Sequence, residues 1–142
     1  MKTLSLDFGS KYIGVAISDD LGIIAVGLEV IKREYLKNDI DRIKTIIEEN
    51  GVEELVVGLP KKLNNDVGIQ ADKTIAFVES LKENIDIPIQ MWDERLTTAE
   101  AQKMLISMNV SRSKRKKVID KVAAQLILDS YLQFKKNRKN RE

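Results

Sequence analysis

The chain of 142 residues contains no cysteine and no histidine. Without cysteine there are no disulfides, no thiolate zinc sites and no cysteine nucleophiles. Without histidine there is no Ser-His-Asp triad, no imidazole metal site and no histidine general base. Any catalysis must therefore use carboxylates, lysine, tyrosine, hydroxyls or an oxygen-ligated metal. No apolar run approaches membrane-spanning length, and Met1 leads directly into a strand pattern rather than a basic and then apolar leader. The expectation is a soluble, cytoplasmic protein with no membrane partner. The length suits one domain able to bury a core without staples.

What is present is an alternation of strand and helix patterns. Leu4, Leu6 and Phe8 alternate with Thr3, Ser5 and Asp7, a period of two that marks a strand. Gly9-Ser10 supplies a turn, and Tyr12 to Ser18 returns as a second β-rich run. Asp19-Asp20-Leu21-Gly22 supplies turn chemistry before a third strand over Ile23 to Ile31. Leu36, Ile40, Ile43 and Ile47 fall at helical spacing, with Gly51 just past the end of a helix over Leu36 to Asn50. Leu55 to Leu59 is a continuous apolar run, the pattern of a strand covered on both faces, and Pro60 stops it. A polar loop over Lys61 to Gly68, a helix over Gln70 to Asn84 and a short strand over Pro88 to Trp92 follow. Thr97-Thr98-Ala99-Glu100 has capping-box spacing ahead of a third helix carrying Ala101, Met104, Leu105 and Met108. A last helix is expected from about Lys117 to Phe134. No internal repeat or domain boundary is evident, which gives a domain over 1–134 and a basic tail over 135–142.

Three antiparallel strands followed by alternating helices and strands predict an α/β fold with a mixed sheet of five strands and helices on both faces. Right-handed crossovers make the strands at Leu4–Phe8, Leu55–Leu59 and Pro88–Trp92 parallel. Their C-terminal ends then share the edge where open α/β sheets bind ligands. Asp7 and the Asp93-Glu94 pair both fall on that edge. An isolated aspartate at a strand end more often just enters a turn; here a second acidic group converges on it. The small residues Gly14 and Ala16 on the returning strand leave room beside Asp7 for a phosphate or a metal. Asp120, Ala123, Ala124, Ile127 and Tyr131 follow at helical steps, which puts Asp120 on or beside the inward stripe of the last helix. Alone, Asp120 reads equally well as an acid complementing a helix dipole. With Asp7 and Glu94 it reads as a third metal ligand. Asp129, nine residues on, faces the other way.

Net charge is nearly balanced, but its distribution is not. Arg112, Lys114, Arg115, Lys116, Lys117 and Lys121 cluster in one stretch, and Lys135, Lys136, Arg138, Lys139 and Arg141 crowd the end. Such clusters are electrostatic footprints for a polyanion. The stretch over Arg112 to Lys117 is read as phosphate-binding, the tail as a solvated, disordered segment.

Four segments carry a resemblance. Asp7-Phe8-Gly9-Ser10-Lys11-Tyr12-Ile13-Gly14-Val15-Ala16, Val57-Gly58-Leu59-Pro60, Trp92-Asp93-Glu94-Arg95-Leu96-Thr97-Thr98 and Ile119-Asp120-Lys121-Val122-Ala123-Ala124 occur in that order. Together they resemble the YqgF (RuvX) family, described as Holliday junction resolvases and pre-16S rRNA processing nucleases. The resemblance spans the chain up to the basic tail. It implies a ribonuclease H-like fold and Asp7, Glu94 and Asp120 as the acidic catalytic residues. Tyr12 stands where the family usually has a second basic residue, which leaves a phosphate contact there to Lys11 alone. Arg95 matches its motif position and either holds the nearby acid, reaches a phosphate, or forms a surface ion pair.

The chemistry agrees. Phosphodiester cleavage needs an activated water, charge neutralisation and help for the departing 3′ oxygen. Two Mg²⁺ (or Mn²⁺) about 4 Å apart supply all three, held by hard carboxylate oxygens. The expectation is that Asp7 bridges both ions while Glu94 and Asp120 each complete one side, with Asp93 positioning the loop of Arg95. Two other classes compete. An Asp-x-Gly turn also opens the actin-like ATPase fold, but this chain is too short for both halves of that fold and has no second Asp-Gly loop. A catalytically silent nucleic-acid binder would use only the basic segments, and three uncompensated acids beside phosphate argue against it. The expected partner is nucleic acid, as rRNA precursor or branched DNA, with the ribosome a further partner. A junction resolvase should be a homodimer; an rRNA-processing enzyme can be a monomer. The reading leans to rRNA maturation, because no dimerising heptad is evident.

Overall fold

A computed structural model of the chain describes residues 1–59, 69–93 and 112–140, without the side chains of residues 69, 70, 112–120, 139 and 140. Five strands, β1 (Thr3–Phe8), β2 (Tyr12–Ser18), β3 (Ala25–Lys32), β4 (Glu54–Leu59) and β5 (Ile89–Asp93), form one sheet in the order β3-β2-β1-β4-β5. The β1–β2 and β2–β3 pairs are antiparallel, and the β1–β4 and β4–β5 pairs are parallel. The described helices are α1 (Leu36–Asn50), α2 (Ile69–Asn84) and α3 (Arg112–Asn140). This is the mixed sheet expected from the alternation of patterns. The expected helix over Thr97 to Met108 lies outside the described residues.

The period of two in β1 sorts its side chains onto two faces. Leu4, Leu6 and Phe8 join Ile13, Val15, Leu55 and Val57 in a core closed by Ile40, Ile43, Ile46 and Ile47 of α1 and Phe77, Val78 and Leu81 of α2. Within α1, Ile40, Ile43 and Ile47 are buried as expected, Ile46 joins them, and Leu36 is exposed. Gly51 ends α1 at φ 65°, and its N–H bonds Ile47 O. A side chain is strained at that dihedral, and glycine is not.

The opposite face is covered by α3. Ala16, Ala25, Ala124, Leu128 and Leu132 form one cluster there, and Val56, Ile127 and Tyr131 another with Trp92 against it. Small residues on both partners let the helix lie close: Ser5 Oγ donates to Ala124 O at 2.6 Å. At Gly27 a Cβ would stand 2.8 Å from Lys121 Cγ, so the stem of that lysine lies directly on the β3 backbone. Gln125 Oε1 accepts from Gly27 N–H at 3.1 Å across the same contact.

Two boundaries differ from the sequence reading. β3 starts at Ala25 rather than Ile23, because the Asp19 carboxylate accepts from Ile23 N–H (2.7 Å) and Ile24 N–H (3.0 Å), drawing both into the turn. Those bonds hold the Asp19 carboxyl below the usual carboxylate range. α3 runs from Arg112 to Asn140 rather than from Lys117 to Phe134. Its basic ends carry no apolar periodicity, yet lysine and arginine propagate a helix that its middle has nucleated. At the C-terminal end Lys135 Nζ bonds Glu54 Oε1 at 3.0 Å, so the run expected as a disordered tail begins with an anchored helical residue.

Candidate nuclease site

Asp7 occupies the last turn of the pleat before Phe8 ends β1, and only 7% of its surface is exposed. By the strand alternation it shares the α3 face with Thr3 and Ser5. Gly14 is its register partner on β2, on the same face, and has no side chain to crowd the carboxylate. The other small residue, Ala16, is packed into the α3 contact instead of lining open space.

The parallel pairings put the C-terminal ends of β1, β4 and β5 on one edge. Leu6 pairs Val57, and Leu59 pairs Asp93. Asp93 therefore closes β5 at that edge and is exposed. Glu94 and Arg95 lie outside the described residues. α3 approaches from the other direction: Tyr131 meets Glu54 at the foot of the sheet, and Ala124 meets Ser5 higher up. Asp7 is two residues beyond Ser5 along β1, and Asp120 is about one helical turn before Ala124 on α3. Arg112, Lys114, Arg115, Lys116 and Lys117 occupy the first turns of α3, upstream of Asp120. Lys11 is exposed in the β1–β2 turn. Among the described residues no three acids gather into a metal cluster, and the side chains of Glu94 and Asp120 are not among those described.

One residue of this region carries no sequence signal of its own. Arg33, just past β3, donates through Nη1 to Gly9 O (3.0 Å) and Ser10 O (3.3 Å), and its guanidinium carbon stands 4.2 Å from the centroid of the Phe8 ring. Its Nε is buried without a hydrogen-bond partner, and the cation–π contact offsets part of that desolvation. Phe8 also stacks on Phe77, with centroids 4.1 Å apart. The turn that follows Asp7 is thereby pinned from outside its own strand. Periodicity cannot show this. The hairpin register that pairs Tyr12 with Lys32 is the feature that brings residue 33 opposite Lys11, whose carbonyl accepts from Arg33 N–H at 2.9 Å.

Below the site, Glu54 gathers Thr3 Oγ1 (3.3 Å), Tyr131 Oη (2.7 Å) and Lys135 Nζ (3.0 Å), fixing the lower half of α3 to β1 and β4. Burial, then the Glu54 carboxylate, push the Tyr131 phenol well above its ordinary value. No helix among the described residues is long and apolar enough to cross a membrane.

Comparison with known proteins agrees with this layout. A protein from Desulforamulus reducens named "Putative pre-16S rRNA nuclease" is 55% identical over 132 residues, covering 93% of this chain and 96% of that relative. A protein of the same name from Thermoanaerobacter pseudethanolicus is 55% identical over 139 residues, covering 97% of this chain and 100% of that relative. Among solved structures, RuvC of T. thermophilus in complex with a Holliday junction substrate superposes with a TM-score of 0.56 at 16% identity, over 95% of this chain and 96% of that one. It shares the ribonuclease H-like fold. The family model described as "RuvX: Holliday junction resolvase" matches residues 1–134, and the chain belongs to the RuvX family.

Proposed function

We propose that this protein is a metal-dependent nuclease that hydrolyses phosphodiester bonds during 5′-end maturation of pre-16S rRNA. The observation that carries the reading is the buried Asp7 carboxylate at the ligand-binding edge of the parallel strands, in a chain with no imidazole or thiol to do the work. The name shared by its close relatives supplies the substrate. In this reading Asp7, Glu94 and Asp120 hold Mg²⁺, or Mn²⁺ in its place, through hard carboxylate oxygens. The bound ion supplies an acidified water and neutralises charge on the phosphate. Lys11, Arg95 and the run over Arg112, Lys114, Arg115, Lys116 and Lys117 bind flanking phosphates. The precursor is met on the assembling ribosome, and the chain acts as a monomer.

The family description favours a second reading, a homodimeric resolvase making paired cuts in a four-way DNA junction. One panel separates the two. Labelled RNA carrying the extended 5′ end of small-subunit rRNA, single-stranded RNA and a four-way DNA junction are incubated with Mg²⁺, Mn²⁺ or chelator. The expected result is metal-dependent cutting of the rRNA precursor, reduced about a thousandfold by Asp7→Asn, the size of several kcal/mol of lost charge stabilisation. Unaltered cutting by a folded Asp7→Asn protein would remove Asp7 from the centre of the site. Paired junction cuts in place of rRNA cuts would make the protein a resolvase. Binding without cutting of any substrate would leave a nucleic-acid binder.

A further inference from the structure

We propose that a groove running from β5 along the C-terminal half of α3 is a track for single-stranded nucleic acid leaving the cleavage site. The groove, of about 780 Å³, is lined by Trp92, Tyr131 and Phe134 and by Leu21 and Ile23. Asp7 is not among its lining residues; Trp92 is the lining residue that comes level with it. Trp92 pairs Gly58, the residue after the Val57–Leu6 pair, which sets it at the level of Asp7. It lies two strands away, about 10 Å. Both side chains are on the α3 face, since Trp92 Nε1 donates to Ser130 Oγ at 3.1 Å.

Two observations identify the occupant. The first is aromatic. Trp92 packs edge-on to Tyr131 (centroids 5.4 Å) and tilted on Phe134 (5.2 Å), so the rings are held in place, yet Phe134 leaves 49% of its surface exposed. Leu21 and Ile23, which also line it, are 77% and 64% exposed. Rigid rings with open area cost little ordering when a flat partner stacks on them. The second is charge. Lys135, Lys136 and Arg138 line the groove against one acid among its described residues, Asp129. Lys135 is engaged by Glu54, whereas Lys136 and Arg138 are exposed. Aromatic faces interleaved with cations are what binds a backbone with unstacked bases. A duplex, whose bases are already stacked, gains nothing from the rings. Nothing in this chemistry separates RNA from DNA, so the assignment to RNA rests on the nuclease reading above.

Trp92 is the sole tryptophan of the chain, so its fluorescence reports on this groove and nowhere else. The test titrates Asp7→Asn protein, which preserves its ligand uncut, with a short oligouridylate, the matching oligodeoxyuridylate and a duplex RNA. Bulk binding is followed in parallel by anisotropy of the labelled oligomer. Saturable quenching of Trp92 by a single strand but not by the duplex is expected, with the RNA-to-DNA ratio identifying the source. Phe134→Ala should weaken binding about ten- to a hundredfold, the loss of one stacked base. Lys136→Gln with Arg138→Gln, both at exposed helical positions where folding is not at risk, should lower the slope of log K against log salt by about 1.4, the loss of two phosphate contacts. Binding without any change at Trp92, and with normal salt slope in the double variant, would overturn the groove. Quenching that follows protein concentration and matches dimer formation in sedimentation would overturn it in favour of a second copy. Wild-type cleavage of the rRNA precursor keeps the two readings apart: cutting without quenching sinks only the groove, and quenching without cutting sinks only the nuclease.

Discussion

The two faces of the sheet are built from opposite kinds of residue. Towards α1 and α2 point Leu4, Leu6, Phe8, Ile13, Val15, Leu55 and Val57, most with no exposed surface, interlocked with isoleucines and a stacked pair of phenylalanines. Towards α3 point Thr3, Ser5 and Asp7 of the same β1 strand, with Ala16 of β2 and Ala25 of β3, and Gly27 N–H bonds to α3 at the same contact. Large apolar side chains maximise buried area, at about 25 cal/mol per Å². Small and polar ones forgo area and bring two backbones together, so that a carboxylate at the end of a strand can meet a residue of the facing helix. One strand thus fills the apolar core with its even-numbered residues and meets the facing helix with its odd-numbered ones.

The sharpest break in that division is Leu6→Ala. Leu6 is fully buried on the apolar face, and its truncation should cost about 3 kcal/mol, from lost transfer energy and an incompletely collapsed cavity. Chemical denaturation should show this as a lower midpoint. Cleavage per folded molecule should be close to that of the wild type. If specific activity fell in step with the denaturation midpoint well below the unfolding transition, the two faces would not be separate in function.

Ala124→Leu tests the other face. Ala124 has no exposed surface, and its carbonyl accepts from Ser5 Oγ at 2.6 Å. Added bulk cannot be absorbed there without moving α3 away from β1, which should cost about 2 kcal/mol. Unlike Leu6→Ala, this variant should also damage the site itself. Displacing α3 moves residue 120, proposed above to hold the metal together with Asp7, so on that proposal cleavage should fall further than the folded fraction does. Equal effects on both quantities would mean that the helix position is immaterial to the site.

That same contrast explains what could be read without coordinates. The alternation Leu4-Ser5-Leu6-Asp7-Phe8 already assigns each residue to a face, and right-handed crossovers then fix β1, β4 and β5 as parallel neighbours with Asp7 and Asp93 at one edge. Local chemistry set the ends less well. Asp19 takes two N–H groups that the pattern gave to β3, and α3 continues through basic residues with no apolar mark. The contacts of Arg33 with Gly9, Ser10 and Phe8 were illegible, because they join segments more than twenty residues apart through one side chain. The groove was hidden for a similar reason: Trp92 and Phe134 are adjacent only once α3 is laid diagonally across the sheet. The expectation of an acidic set at Asp7, Glu94 and Asp120 rests on motifs, and of the three Asp7 has a described side chain.

The smallest effect expected is at the foot of the α3 face, where the polar residues serve stability. Tyr131 is buried, and its hydroxyl donates to Glu54 Oε2 at 2.7 Å. Tyr131→Phe keeps the ring against Trp92 and removes the bond, which should cost about 1–2 kcal/mol, with cleavage per folded molecule unaffected. pH provides an independent check. The folded chain raises the Tyr131 phenol above its ordinary value of 10.0, so folding favours the protonated form. The stabilisation is therefore fully present below the unfolded pKa and lost as pH rises through the folded one. Denaturation midpoints of wild type and Tyr131→Phe should differ by a constant amount through neutral pH and converge in strong alkali. A gap that instead closed on acidification below neutrality would place the stabilising proton elsewhere, and the link between α3 and β4 through Tyr131 would have to be given up.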